Sequence, residues 1–83
     1  LIYDFGEKRV GKMLKLCRKY LTWIQNSVFE GEITESKLEE LKSKVKKLMN
    51  EKEDSMIVFK SRNEKWLEKE IMGLEKNSLD TIF

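Results

Sequence analysis

Asp4 stands where an apolar, β-prone run, Leu1-Ile2-Tyr3, gives out, with Phe5-Gly6 and a basic segment directly after it. A carboxylate at a strand end beside cationic surface offers the oxygen ligand that Mg²⁺ or Mn²⁺ takes, next to surface that attracts a phosphodiester. One carboxylate holds such an ion poorly. A pair across a two-fold axis, completed by water and substrate phosphate, suffices, so the metal reading of Asp4 needs a second copy of the chain. The structural alternative is a turn or helix cap. There is no histidine, which removes imidazole general-base chemistry and imidazole ligation. Catalysis is left to carboxylates, hydroxyls, cations or a hard metal.

Other residues gather round this acid. Tyr3 precedes it and points to the opposite face, which by pattern makes it a core residue. Ser27 could orient water or phosphate, although a serine without a neighbouring base is rarely a nucleophile. Arg9 carries a fork that clamps phosphate, or is one more solvated cation. Lys8, Arg9, Lys12, Lys15, Arg18 and Lys19 fall in one stretch with no acid among them, whereas Glu30, Glu32, Glu35, Glu39 and Glu40 are broken only by Lys37. The net charge of +2 is too small to imply nucleic acid; its distribution says more. Two such basic helices, paired by symmetry, would bind duplex phosphates without reading sequence.

The elements that must position these residues follow from period. Residues 1–5 read as a strand. Val10, Met13, Leu14, Cys17 and Leu21 recur at helical spacing, giving a helix over roughly 8–20. Residues 23–31 return to period two as a second strand, with Ile24, Asn26 and Val28 on one side and Trp23, Gln25, Ser27 and Phe29 on the other. Leu38, Leu41, Val45, Leu48 and Met49 make the stripe of a second helix ending at Asn50, capped by Ser36 with Glu39, or by Thr34. Ser55 to Lys60 is a strand apolar on both faces, hence central or at an interface. Residues 64–72 fit an edge strand ending near Gly73, or a short helix; we take the strand. Leu79 to Phe83 would be one more.

These elements point to an α+β ferredoxin-like sandwich, βαββαβ with an extra C-terminal strand, one domain over 1–83. The face without helices is too apolar to leave in water. A homodimer burying Trp23, Phe29, Phe59 and Ile82 is the simplest remedy, with base stacking an alternative for Phe29. Cys17 reads as a small core residue. One cysteine permits no internal disulfide and suits a reducing, cytoplasmic setting. No apolar run is long enough for a membrane span. The chain opens on Leu1 already inside a strand, so a few preceding residues are expected.

Tyr3-Asp4, the string Ile24-Gln25-Asn26-Ser27-Val28-Phe29-Glu30-Gly31, and Asp54-Ser55-Met56-Ile57-Val58-Phe59-Lys60 together resemble the small CRISPR-associated endonuclease family. Ile71-Met72-Gly73-Leu74-Glu75-Lys76-Asn77 is similar to the ending of archaeal-type members. The resemblance implies a homodimer whose C-terminal strand pairs with the partner's sheet, bringing two copies of Asp4 together across the axis, with Tyr3 in support. It implies a role in spacer acquisition beside the CRISPR integrase, bridging integrase dimers and holding double-stranded DNA. It also implies Mg²⁺- or Mn²⁺-dependent cleavage of single-stranded RNA or double-stranded DNA. Departures are Trp23, where many members carry a basic residue, and Ser78, where relatives often have proline. A stand-alone toxin-like endoribonuclease of the same fold is the alternative. An RNA-recognition module ranks lower, because its aromatic-rich signature is missing.

Overall fold

The structure, a computed structural model, describes residues 1–63 and 66–74. In chain order it has β1 (Ile2–Asp4), α1 (Glu7–Arg18), β2 (Thr22–Gln25), β3 (Val28–Glu30), α2 (Glu35–Leu48), β4 (Ser55–Asn63) and β5 (Trp66–Gly73). The strands form one antiparallel sheet, ordered β2-β3-β1-β4-β5. That is the ferredoxin-like βαββαβ arrangement with β5 added at one edge. The edge strand expected over 64–72 is β5. The expected strand at 79–83, with Ile82, lies outside the described residues. Among the described residues no helix is long and apolar enough to cross a membrane.

Residues 23–31 are not one strand. They fold as the hairpin β2–β3, turning at Asn26-Ser27 with Gln25 opposite Val28. Asn26 takes φ 45°, a left-handed conformation that asparagine tolerates better than most side chains. The register also slips between Trp23 and Gln25, so the expected sides are overturned. Phe29 is 1% exposed and belongs to the chain's own core. Trp23, its cross-strand partner, faces the helices with it. Neither residue is on the open face.

Tyr3, Phe5, Phe29, Met56 and Val58 from the sheet meet Met13 and Cys17 of α1 and Leu38, Leu41 and Val45 of α2 in one buried cluster. Cys17 is thus the core residue expected, and burial pushes its thiol up to about 12. Two rings fix the start of β1: Tyr3 stacks on Phe29 (6.0 Å between centroids) and meets Phe5 edge-on (5.6 Å). α2 begins at Glu35 because Thr34 Oγ1 accepts from the Lys37 amide at 3.2 Å. Thr34 is therefore the cap, not Ser36 with Glu39, and the helix ends at Leu48, short of Asn50. Ion pairs from Lys42 to Glu70 and from Lys60 to Glu35 tie α2 to the sheet. Tyr20 joins the helices by donating to Glu40 at 2.6 Å.

One buried charge organises the top of the sheet. Asp54, just before β4, is fully buried. Its carboxylate accepts from the amides of Gly6 and Asn50, each at 2.8 Å, and from Arg9 Nε at 2.5 Å and Nη2 at 3.1 Å. Gly6 is the cap residue of α1 and has no side chain to cap with. A remote acid does that work, where the helix dipole favours an anion. The Asp54 carbonyl accepts from Leu74 at 2.8 Å, and a Cβ on Gly73, whose φ is +80°, would come 2.3 Å from that oxygen. Only glycine lets the end of β5 dock there.

The Arg9 pair, aided by the Asn50 and Gly6 amides, outweighs burial and lowers the Asp54 carboxyl from an ordinary 3.8 to about 2. A depressed carboxyl stabilises the fold above its unfolded value and loses that contribution as pH falls through the folded one; here it is worth about 2 kcal/mol. Asp54→Asn would turn its amide N–H toward two donors whichever way it lay and should cost about 3 kcal/mol at pH 7. Urea melts should show wild type losing about 2 kcal/mol more than Asp54→Asn between roughly pH 4 and pH 2. Equal losses would contradict the pairing.

Candidate functional site

Asp4 ends β1 on the side of the sheet away from the helices, because Tyr3 before it and Phe5 after it are buried in the core. It lies across from Ser55 of β4, the residue next to Asp54. On its other flank is the β2–β3 turn, whose Ser27 carbonyl accepts from the Tyr3 amide at 3.1 Å. Exposed Ile2 and Phe59, with half-buried Ile57 and Val28, share the open face with Asp4. An acid at the rim of an apolar strip is thus what one chain presents.

The two neighbouring acids have different fates. Asp54 cannot take a metal, since its oxygens already accept from four donor atoms, two of them in a guanidinium. Asp4 is exposed and offers the hard oxygen donors that suit Mg²⁺ or Mn²⁺. Among the described residues no three His, Cys, Asp or Glu side chains converge to hold a metal. A single chain therefore contributes one carboxylate. An exposed carboxylate suits a hard ion such as Mg²⁺, which keeps several waters and takes substrate phosphate as further ligands, so those ligands would come from outside the chain.

Other expected residues sort differently. Tyr3 is buried, and burial, with the nearby Cys17, raises its phenol despite Ser27 and Arg18. Its ring anchors the strand that carries Asp4 rather than facing a substrate. Ser27 sits in the turn, half-buried, beside that strand. Arg9 is not available as a phosphate clamp: its fork is spent on Asp54 and Glu53, at 2.5 Å and 2.8 Å. Lys8, Lys12 and Lys15 are exposed and make no ion pair among the described residues. Their spacing puts them on one side of α1, so the cationic surface is carried by lysines. Phe59, 42% exposed, is on the open face as expected.

Sequence reasoning missed the role of Asp54. Its partners Gly6 and Arg9 are 48 and 45 residues away, and no local period links them. A large cleft, about 570 Å³, lies at the opposite end of β1, lined by Leu1, Phe29, Ile33, Val58 and Lys60 among others. Asp4 takes no part in it.

Comparison with known proteins identifies the family. Residues 1–69 match the family described as CRISPR associated protein Cas2. A protein of Dictyoglomus turgidum named CRISPR-associated endoribonuclease Cas2 is 49% identical over 82 residues, 99% of this chain and 94% of the relative. The protein of that name from Thermotoga maritima is 47% identical over 83 residues, covering 100% and 95%. That of the archaeon Pyrococcus furiosus is 43% identical over 82 residues, covering 99% and 94%. With the family match spanning most of its length and such relatives aligned nearly end to end, the chain belongs to the CRISPR-associated Cas2 family.

Proposed function

We propose that this chain acts as a homodimer in CRISPR adaptation, binding double-stranded DNA and bridging the integrase, with metal-dependent phosphodiester cleavage at paired copies of Asp4. The observation that carries the reading is the placement of Asp4 on an open, partly apolar sheet face while its neighbour Asp54 is locked into the fold. Burying Ile2, Ile57 and Phe59 against a second copy would remove apolar surface from water and bring the two acids toward one axis. The relatives' name, endoribonuclease, supports RNA as a substrate; the reading adopted here takes single-stranded RNA alongside duplex DNA.

Asp4 of each copy would hold Mg²⁺ or Mn²⁺, which would supply positive charge to a phosphodiester undergoing hydrolysis and make water a better nucleophile. The chain's own residues hold and orient. Asp4 gives the oxygen ligands, and the Tyr3–Phe29 stack keeps the strand end in place. Lys8, Lys12 and Lys15 bind phosphate oxygens, fixing the substrate's path without reading its bases.

Purified protein incubated with RNA and with duplex DNA should cleave only when Mg²⁺ or Mn²⁺ is present, and Asp4→Ala should bring cleavage to background while leaving duplex binding intact. Cleavage that survives EDTA or Asp4→Ala would remove Asp4 from the site. If wild type with metal cuts neither, the binding and bridging role stands alone.

Replacing Lys8, Lys12 and Lys15 together by alanine should weaken duplex binding and flatten its salt dependence, by about one unit of log–log slope for each phosphate no longer neutralised. An unchanged slope in a fluorescence titration over a salt series would take α1 out of the interface. Arg9 is unsuitable for that test, because its removal would strip Asp54 of its counter-charge.

A further inference from the structure

Trp23 is the largest side chain on the described surface that the fold does not use. It is 45% exposed, and it is absent from the residues packed on the core, where Tyr20 and Leu21 of the same segment do pack. Yet it is held in place. Its Nε1 donates to the Asn26 carbonyl at 2.8 Å, fixing the ring against the hairpin turn that flanks Asp4. The Arg18 guanidinium lies over the ring, 5.0 Å from the centroid. Arg18 makes no ion pair among the described residues, so its donors remain for a phosphate. Exposed Lys15 of α1 and Lys19, which caps its C-terminus, lie within a turn of it in sequence.

A rigid indole, a cation stacked on it and lysines alongside are what a nucleotide meets on a single-strand platform: a flat surface for the base and positive charge for the backbone. An edge aromatic that merely shielded the core would be buried against it, and an apolar protein partner would not call for the surrounding cations. We propose that Trp23 and Arg18 form a base-stacking subsite that seats an unpaired nucleotide at the β2 edge of the sheet, on its helix side. The subsite rests on the nucleic-acid reading above and adds to it a preference for single-stranded over fully paired substrate. A blunt duplex keeps its bases stacked inside and engages only the lysines.

The test is binding, measured by fluorescence anisotropy in EDTA so that cleavage plays no part. The probes are a labelled single-stranded RNA of mixed sequence, about 12 nucleotides long to span a single-strand site, and a blunt DNA duplex of the same length. Trp23→Ala should weaken RNA binding about tenfold, the effect of removing one base stack, and change duplex binding less than twofold. Trp23→Phe should keep most of the RNA affinity. In a Trp66→Phe background, Trp23 emission should be quenched by the RNA. Trp23→Leu, which keeps apolar bulk without a flat ring, decides the matter if the alanine variant loses its thermal transition. If wild type binds both probes and the variants bind RNA as tightly as wild type, or lose RNA and duplex equally, the subsite is overturned while the nucleic-acid reading stands. If wild type binds neither probe, that reading fails and the subsite with it.

Discussion

A charge taken wholly out of water is tolerated only where enough donors surround it, and the Asp54 carboxylate is where this chain meets that condition. Two backbone amides and the fork of Arg9 converge on it. The donors come from both helices: Gly6 caps α1, Arg9 is in its first turn, and Asn50 follows α2. The Asp54 carbonyl receives the end of β5 through Leu74, with Gly73 in the only backbone that fits. The carboxylate thereby joins both helices to the central strands. Because Ser55, the next residue, pairs with Asp4, the same junction sets where the candidate catalytic acid stands.

That junction divides the labour among charges of similar appearance. Of two acids at adjacent strand ends, one is consumed by structure and the other is exposed on the open face. Of the cations at the start of α1, Arg9 is consumed with Asp54, while the lysines stay in solvent. The two faces of the sheet divide in the same way. The helix face is filled by Tyr3, Phe29, Met56 and Val58. The other face keeps Ile2 and Phe59 in water within a single chain. An apolar strip with an acid at its rim is poorly suited to an isolated domain of this size, and the proposed symmetric copy would answer both features.

Much of this was legible in the sequence where the signal is local. Helical period located α1 and α2, a run apolar on both faces located β4, and β5 ran as an edge strand to Gly73. Asp4 at a strand end was readable because strand and acid are neighbours. The hairpin was not: Asn26-Ser27 lacks the glycine that usually marks such a turn, so alternation seemed to run through it, and Trp23 and Phe29 were put on the wrong face. Arg9 was misread for a different reason. A basic residue in a basic run looks solvated until its partner, 45 residues on, is known. Pairing at that separation leaves no trace in any short window.

The proposed dimer, in which two copies meet through the open face with their Asp4 residues opposed, is tested most directly by cross-linking. With Cys17 replaced by alanine, Asp4→Cys should form a disulfide-linked dimer on mild oxidation, because that bond needs Cα atoms within about 7 Å. A cysteine at Lys44, on the helical side, should remain monomeric under the same conditions. A dimer trapped by the Lys44 cysteine but not by the Asp4 cysteine would mean that the copies meet through their helices, and the paired-acid site would not exist.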